Sequence, residues 1–268
     1  MVQVICPVCG LPLSGEKPAW KCENGHSFDV ARQGYVNLLT VQQKHSLHPG
    51  DTAAMVLARR RFLQAGYYLP IRDKLRQLLA HYAPRAQSVL DVGCGEGYYL
   101  AGLELPRRWG IDISKDAVRY AAGGDKAAKF LTATAAHLPF ADGSFDALLS
   151  MFALTIEEEY ARVLGNDGVF VLVLAGEKHL QGLKSIIYPI LTEKPKCLQP
   201  ELDGFCLLHH EILHFDFSLS DGQSVQDLLS MTPHVWRISK EGAQALARTT
   251  QLNDRAEVIF NVYRRQNA

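Results

Sequence analysis

Hydrophobic positions along this chain change their period twice. Between residues 52 and 83 they recur at helical spacing: TAAMVLARRRFLQAG places Met55, Leu57, Ala58, Phe62 and Leu63 on an approximate stripe, and LPIRDKLRQLLAHYA repeats it with Ile71, Leu75, Leu78 and Leu79. Asp51 or Thr52 is placed to cap the first helix, Gly66 to stop it, and Pro84 to close the second. From Gln87 short apolar runs take over, QSVLDVG, WGIDIS, AKFLTAT, FDALLSMF and GVFVLVLAG, with helix-length segments between most of them. Five buried strands in that rhythm predict a parallel α/β sheet. Beyond about Leu207 the pattern gives ILHFDFSL, a helical DGQSVQDLLSM, a turn at MTPHVW and a last strand in AEVIFNVYRR.

The first 30 residues fit neither period. They hold short stretches such as VQVI and AWKC, broken by Pro7, Gly10, Pro12, Gly15, Pro18 and Gly25. So short a segment cannot bury a stable core unaided, and its cysteines supply the alternative. Cys6 and Cys9 are two residues apart, and Cys22 is followed by His26. Four such ligands complete the tetrahedron of a structural metal site, which predicts a zinc ribbon over residues 1–35.

Length and charge refine this picture. The 268 residues, 47% of them hydrophobic, suffice for a buried core, and no run of 18 apolar residues or signal-peptide stretch is seen, so a globular cytoplasmic protein is expected. The net charge of zero hides a division. Residues 1–85 hold 11 Lys and Arg against 5 Asp and Glu, a balance of +6, and the rest hold 17 against 23, a balance of −6. A basic front segment of this kind suits a polyanion. Three segments follow from these signals: the ribbon, a basic linker with helices at 36–85, and a catalytic domain at 86–268.

VLDVGCGEGYY carries the chemistry of the third segment. Glycines at a strand-to-helix turn let the backbone approach a ligand closely. Gly93, Gly95 and Gly97 alternate, and Tyr98 stands where a dinucleotide fingerprint needs glycine. No Gly-Lys-Ser/Thr follows, which excludes a P-loop. Asp112, ending the next strand, is placed to accept hydrogen bonds from ribose hydroxyls.

The stretch D-x-G-x-G-x-G resembles motif I of class I S-adenosylmethionine-dependent methyltransferases, a Rossmann-like fold. That resemblance implies that Asp91 helps to hold the methionine end of S-adenosyl-L-methionine, with the glycine loop against the ligand. The whole chain resembles the bacterial 23S ribosomal RNA guanine-N1 methyltransferases. The matching residues are C-P-x-C with Cys22 and His26, F-D-x-A-R-x-G-Y-V-N-L-L at 28–39, P-G-D-T-x-x-M at 49–55, A-R-R-x-F-L-x-x-G-x-Y-x-P at 58–70, D-V-G-C-G-E-G-Y-Y at 91–99, and M-T-P at 231–233 with Trp236. The family implies N1-methylation of one guanine in a 23S rRNA hairpin, a Zn2+ ribbon that helps to bind RNA, and a homodimer. Carried over residue by residue, it puts cofactor contacts at Tyr68, Gly95, Glu96 and His179.

Two stretches depart from the family pattern. Thr134 stands where an acid usually meets the adenine amino group, which shifts adenine recognition to the backbone of 134–136 and to Leu138. M-F-A-L at 151–154 replaces I-Y-A-P beside the acceptor base, with Leu154 for proline and no hydroxyl on Phe152. Arg59, Arg60 and Arg61 point about 100° apart on a helix, so at least one is expected to be free for phosphate and the others to pair with acids or line the cofactor site. Lys21, Lys44, His45 and His48 are further phosphate candidates, and Tyr35, Tyr67, Phe152 and Trp236 are candidates for stacking on a guanine. Cys94 reads as a small packing residue, Cys197 and Cys206, which lack a matching pair, as residues without special chemistry, Asp146 as structural, and Glu157, Glu158 and Glu159 as a helix first turn. No residue identifies itself as the acceptor of the guanine N1 proton. Two other classes fit parts of the chain: a small-molecule methyltransferase, which leaves the ribbon unexplained, and a zinc-dependent RNA-binding protein without catalysis.

Overall fold

The computed structural model describes residues 2–44, 46, 49–190 and 195–266. The chain opens with β1 (Ser14–Glu16), β2 (Ala19–Lys21) and β3 (Ser27–Asp29), a three-stranded antiparallel sheet in that order. None of its strand residues is buried; the buried positions of residues 1–35 are Val4, Cys6, Leu13, Cys22 and Tyr35 among those described. A ribbon so thin depends on its ligand cluster and on what it docks against.

Residues 36–85, set apart by the sequence as a basic linker with helices, supply a sheet strand and two core helices. β4 (Val36–Asn37) pairs with a strand of the main sheet. α1 (Ala53–Gln64) starts where the Thr52 side chain accepts from the Met55 N–H, and α2 (Leu69–Tyr82) has proline in its first turn, as the sequence signals require. Gly66, at φ 88°, turns the chain between them.

The catalytic segment then alternates β5 (Ser88–Val92), α3 (Tyr98–Ala101), β6 (Arg107–Asp112), α4 (Lys115–Gly124), β7 (Lys129–Thr132), β8 (Phe145–Met151), α5 (Glu157–Val163), β9 (Leu164–Ala175) and α6 (Gln181–Ile187). It ends with β10 (Phe205–Leu219), α7 (Gly222–Ser230), a 3-10 turn at Pro233–Trp236, α8 (Lys240–Ala247) and β11 (Leu252–Arg265). The eight strands lie in the order β10-β11-β9-β8-β5-β6-β7-β4. The core pairs are parallel, and β11 runs antiparallel between β9 and β10. Strand order reverses at β5, whose neighbours are β6 and β8, so the crevice beyond the end of β5 is where a doubly wound sheet binds its ligand.

Side chains of β5 divide between two cores: Val89 faces one and Leu90 the other. The first is covered by helices, with Phe62 of α1, Leu75 of α2, Val118 of α4, Leu183 of α6 and Val225 of α7. The second holds Tyr160 and Val163 of α5 together with Val4 and Leu13 of the ribbon. The ribbon is thus seated on the sheet. Its chain adds backbone bonds from Ile5 N–H to the Pro139 carbonyl and from Ala141 N–H to the Gln3 carbonyl.

The five expected strands are all present. The two tail strands are longer than their apolar cores; β10 is an edge strand whose exposed positions include His214, Asp216 and Ser218, with His209, His210 and Glu211 half-buried in its first half. β4, of two residues, and α8, capped by Ser239, carried too little periodicity to be seen.

Candidate active site and metal centre

The ribbon brings Cys6, Cys9, Cys22 and His26 together, with all their ligand atoms within 4.8 Å of one another. Sγ of Cys9 and of Cys22 lie 3.7 Å apart, and Nδ1 of His26 lies 3.4 Å from Cys22 Sγ and 3.6 Å from Cys6 Sγ. A tetrahedron with Zn–S near 2.3 Å and Zn–N near 2.0 Å has edges of about 3.8 Å and 3.5 Å. The cluster fits zinc in its donor chemistry and in its dimensions. Cys94 is buried, and Cys197 and Cys206 are exposed surface residues.

The second centre is a cavity of about 1100 Å3 at the carboxyl ends of β5, β6, β8 and β9. The glycine loop forms its floor. Gly93 sits at φ 79°, and a Cβ there would stand 2.7 Å from that of Ala153, so the loop's course requires glycine. Asp112 holds the loop in shape: its Oδ2 accepts from Gly95 N–H at 2.9 Å and its Oδ1 from Ser114 N–H at 2.8 Å. The Pro49-Gly50-Asp51 turn closes over this edge, because the Ser114 hydroxyl donates to the Asp51 carbonyl at 2.7 Å and the Asp51 carboxylate pairs with Arg59 at 2.7 Å.

Carboxylates dominate this half. Asp91 is fully buried, and neither of its oxygens has a hydrogen-bond partner among the described residues; Oε1 of Glu96 is in the same position. Burial, reinforced for Asp91 by the charge of Asp112, pushes both carboxyls up to about 7. Glu96, paired with Arg60 through its other oxygen, lines the cavity, and Asp91 lies beneath the loop outside the cavity wall; buried carboxylate oxygens left without partners are costly unless a cationic or hydrogen-donating ligand meets them. A ligand with an amino-acid ammonium, a sulfonium and ribose hydroxyls answers that need, and S-adenosyl-L-methionine carries all three.

Tyr68 and His179 form the far wall. The Glu257 N–H donates to His179 Nδ1 at 3.2 Å, so the neutral ring carries its proton on Nε2 and donates it to the Tyr68 oxygen 3.3 Å away. Burial holds His179 at about 3, well below the usual imidazole range, so it stays neutral. The Tyr68 hydroxyl, accepting from His179, keeps its own proton for the cavity. His179 therefore acts through Tyr68 as well as lining the wall.

The opposite half has another character. Phe152, at φ 57° and 39% exposed, turns its ring toward His179, with centroids 6.2 Å apart. Left-handed backbone at an aromatic residue costs on the order of 1–3 kcal/mol and is characteristic of functional sites. Trp236 lines the same half and is 69% exposed. Around them stand Lys184, Lys196, His234 and Arg237. Of the four aromatic residues considered for stacking, Phe152 and Trp236 face the cavity, whereas Tyr35 is buried and Tyr67 packs on Phe62 and Phe217. Leu154, 72% exposed, is outside the cavity wall, as are Thr134–Ala136 and Leu138.

One expectation is overturned. None of Arg59, Arg60 and Arg61 is left for phosphate: Arg59 pairs with Asp51 and donates to the Met231 carbonyl, Arg60 pairs with Glu96, and Arg61 pairs with Asp227. The helix lies between the glycine loop and α7, so its three successive directions all meet protein. Lys21 and Lys44 are exposed, and His45 and His48 lie outside the described residues. Asp146 is structural, accepting from the Gln87 and Ser88 N–H groups, and Glu159 pairs with Arg162. The sequence did not single out Lys184, Lys196, His234 or Arg237; the signal available was the M-T-P turn and cations placed in an otherwise acidic half.

Comparison with known proteins agrees with both centres. The zinc-ribbon family described as RlmA, N-terminal, matches residues 4–47, and a methyltransferase-domain family matches residues 90–172. A Bacillus subtilis protein with the provisional designation 23S rRNA (guanine-N(1)-)-methyltransferase YxjB is 30% identical over 256 residues, 90% of this chain and 89% of that protein. A Micromonospora griseorubida protein with the same provisional activity is 38% identical over 198 residues, 65% of this chain and 66% of its own length. The 23S rRNA (guanine(748)-N(1))-methyltransferase of Streptomyces fradiae is 38% identical over 187 residues, 66% of this chain and 65% of that enzyme. With a similarity that runs through ribbon, helices and cavity alike, the chain belongs to the family of 23S rRNA (guanine-N1)-methyltransferases.

Proposed function

We infer that this chain methylates N1 of a guanine in a hairpin of 23S rRNA, using S-adenosyl-L-methionine, and that it works in the cytoplasm. The observation that carries the reading is the division of one cavity into a half lined by carboxylates and a half lined by cations and exposed aromatic rings. The first suits a sulfonium and ammonium ligand; the second suits a base attached to a polyanion. The names of the relatives supply the atom and the RNA.

Asp91, Gly93, Gly95, Glu96 and Asp112 would hold the cofactor, with Tyr68 donating into the same space and His179 orienting it. Bound there, the cofactor supplies an electrophilic methyl group. The protein's task is to bring guanine N1 in line with it, exclude water and receive a proton, so proximity carries much of the rate. Guanine N1 lies in the pairing edge, so an unpaired or flipped base is required, and Trp236 and Phe152 are the rings placed to receive it. The Cys6, Cys9, Cys22 and His26 cluster would hold zinc and so keep the ribbon's shape. A homodimer, which the family resemblance implies, would set two ribbons about one hairpin.

The test is transfer in solution. Purified protein, S-adenosyl-L-methionine and a 23S rRNA hairpin transcript are incubated, and the RNA is digested to nucleosides for mass spectrometry. N1-methylguanosine is the expected product. Methyl transfer to no nucleoside, or to a position other than N1, would overturn the reading.

A further inference from the structure

Guanine N1 bears a proton at neutral pH, and its electron pair becomes available to a methyl group only as that proton leaves. Several groups of the acceptor half can be set aside as its receiver. Both ring nitrogens of His179 are engaged, with the Glu257 N–H and the Tyr68 hydroxyl. Lys196 is a donor that bonds the Ala175 and Gly176 carbonyls. Glu177 is exposed to solvent. His234 differs from all three. Its Nδ1 is 2.8 Å from the Tyr188 hydroxyl, its Nε2 has no hydrogen-bond partner among the described residues, and its ring lines the cavity beside Trp236.

Resting on the rRNA reading above, we propose that His234 is the catalytic base that accepts the guanine N1 proton, with Tyr188 as its positioning residue and Lys196 and Arg237 stabilising the anionic guanine. In the serving tautomer Nδ1–H donates to the Tyr188 oxygen, which leaves the Nε2 electron pair for substrate. The N1–H bond breaks and its proton goes to Nε2. The pair left on N1 forms the new N–C bond as the donor's S–C bond breaks, with those electrons going to sulfur. The imidazolium then returns its proton to solvent.

Placement of the turn supports this role. The Met231 carbonyl accepts from Arg59 at 3.0 Å, and Arg59 in turn pairs with Asp51 and lies against Gly95. The Thr232 hydroxyl and N–H both donate to the Leu229 carbonyl. The segment bearing His234 is thus fastened to the cofactor side of the cavity and to α7, and movement of either half would be felt at the ring.

The charges facing the ring are mostly positive: Lys184 from α6, Lys196 across the cavity and Arg237 on the same turn. His179 across the cavity is neutral, Tyr188 is the hydrogen-bond partner, and Asp227 of α7 is already paired with Arg61. Burial first, then these cations, hold His234 below its ordinary value of 6.5. It is therefore neutral and able to accept at physiological pH, and the same cations favour negative charge developing on the guanine. The resulting base is mild, and the cationic wall complements it.

The test is single-turnover methylation of the hairpin transcript from pH 5.5 to 9.5, with affinities for S-adenosylhomocysteine and for the RNA measured alongside. For the wild type the rate should rise with pH through a value below 6.5 and then level off. His234→Gln should lose about 10²–10⁴-fold at pH 7, the range expected for general base catalysis, with the deficit narrowing at high pH and both affinities kept within about twofold. Tyr188→Phe should lose about tenfold in rate without change in either affinity. A His234→Gln enzyme with the wild-type rate, or one whose deficit is the same at every pH, overturns the proposal. Wild-type protein that leaves guanine N1 unmethylated contradicts the rRNA reading and takes the proposal with it.

Discussion

The two halves of the cavity are built from different parts of the chain and by different means. The cofactor half is made of strand ends and one glycine loop between Asp91 and Asp112, and Asp51, Glu96 and Asp112 line it together with Arg59 and Tyr68. The acceptor half is assembled from the ends of β8 and β9, from α6, and from the Pro233–Trp236 turn, and beside Glu177 it carries the cations Lys184, Lys196 and Arg237 and the His234 imidazole. A sheet with one strand reversal fixes the first half by topology, whatever the acceptor is. The second half adds α6 and the Pro233–Trp236 turn to the ends of β8 and β9, and under the proposed function it would carry the choice of substrate. Opposite charges side by side in one cavity match a cationic methyl donor and a polyanionic acceptor, and each half can be broken separately.

Removing the metal should have the largest effect, and it should fall on the acceptor side alone. Structural zinc contributes apparent binding energies of about 10–16 kcal/mol, more than a three-stranded ribbon can lose and stay folded. Chelation or Cys22→Ser should therefore unfold the ribbon and lower hairpin affinity at least about tenfold, while the affinity for S-adenosylhomocysteine stays close to that of the wild type. Metal analysis with paired binding titrations checks this. Equal loss of both affinities would show that the ribbon, seated on the second core by Val4 and Leu13, also supports the cofactor half.

Gly93→Val makes the complementary break. A side chain at φ 79°, with its Cβ directed at Ala153 at 2.7 Å, would displace the loop and cost about 3 kcal/mol or more, a loss of at least about a hundredfold in cofactor affinity. Calorimetry with S-adenosylhomocysteine reads the effect, and hairpin binding measured without cofactor should be retained.

Asp91 gives the comparison a pH axis. Its carboxyl is raised from 3.8 to about 7 in the folded protein, first by burial and then by Asp112, so the unfolded chain ionises it earlier. The folded state without cofactor is therefore favoured while Asp91 is protonated, and that stabilisation is lost as pH rises from about 4 to about 7. By linkage this slope is worth on the order of 4 kcal/mol, and Asp91→Asn should flatten it in a series of Tm measurements. Cofactor affinity should run the opposite way in the wild type, rising as the carboxylate ionises. A Tm profile identical in the two proteins would contradict the burial argument.

Trp236→Ala should give the smallest change. Loss of one base–aromatic stack is worth about 1–3 kcal/mol, so hairpin affinity should fall between about fivefold and a hundredfold with cofactor affinity untouched. Phe152→Ala serves as the comparison within the same half.

The unequal legibility of the sequence follows from the same division. The glycine loop with Asp112, and the zinc ligands, are local: Gly95 and Asp112 are 17 positions apart and Cys6 and His26 are 20, and their spacing is dictated by a strand-turn unit or a metal. Helices α1 and α2 were legible from their stripes and caps. The role of Arg59, Arg60 and Arg61 was not, because their partners Asp51, Glu96 and Asp227 come from three separate elements. The Tyr188–His234 contact joins residues 46 positions apart across an α6 of seven residues and a 3-10 turn, neither of which has a strong period. His179 was reached through family resemblance, but its tautomer, and hence the direction of the Tyr68 hydroxyl, depends on the backbone N–H of Glu257 in the last strand.

The most direct measurement is a map of methylated guanines in 23S rRNA, by mass spectrometry, from cells lacking the gene and from cells in which it is restored. One N1-methylguanine in a large-subunit hairpin should disappear with the gene and return with it, and its position identifies the guanine that the acceptor half selects. An unchanged map would contradict the central claim that the two halves of this cavity serve methylation of ribosomal RNA.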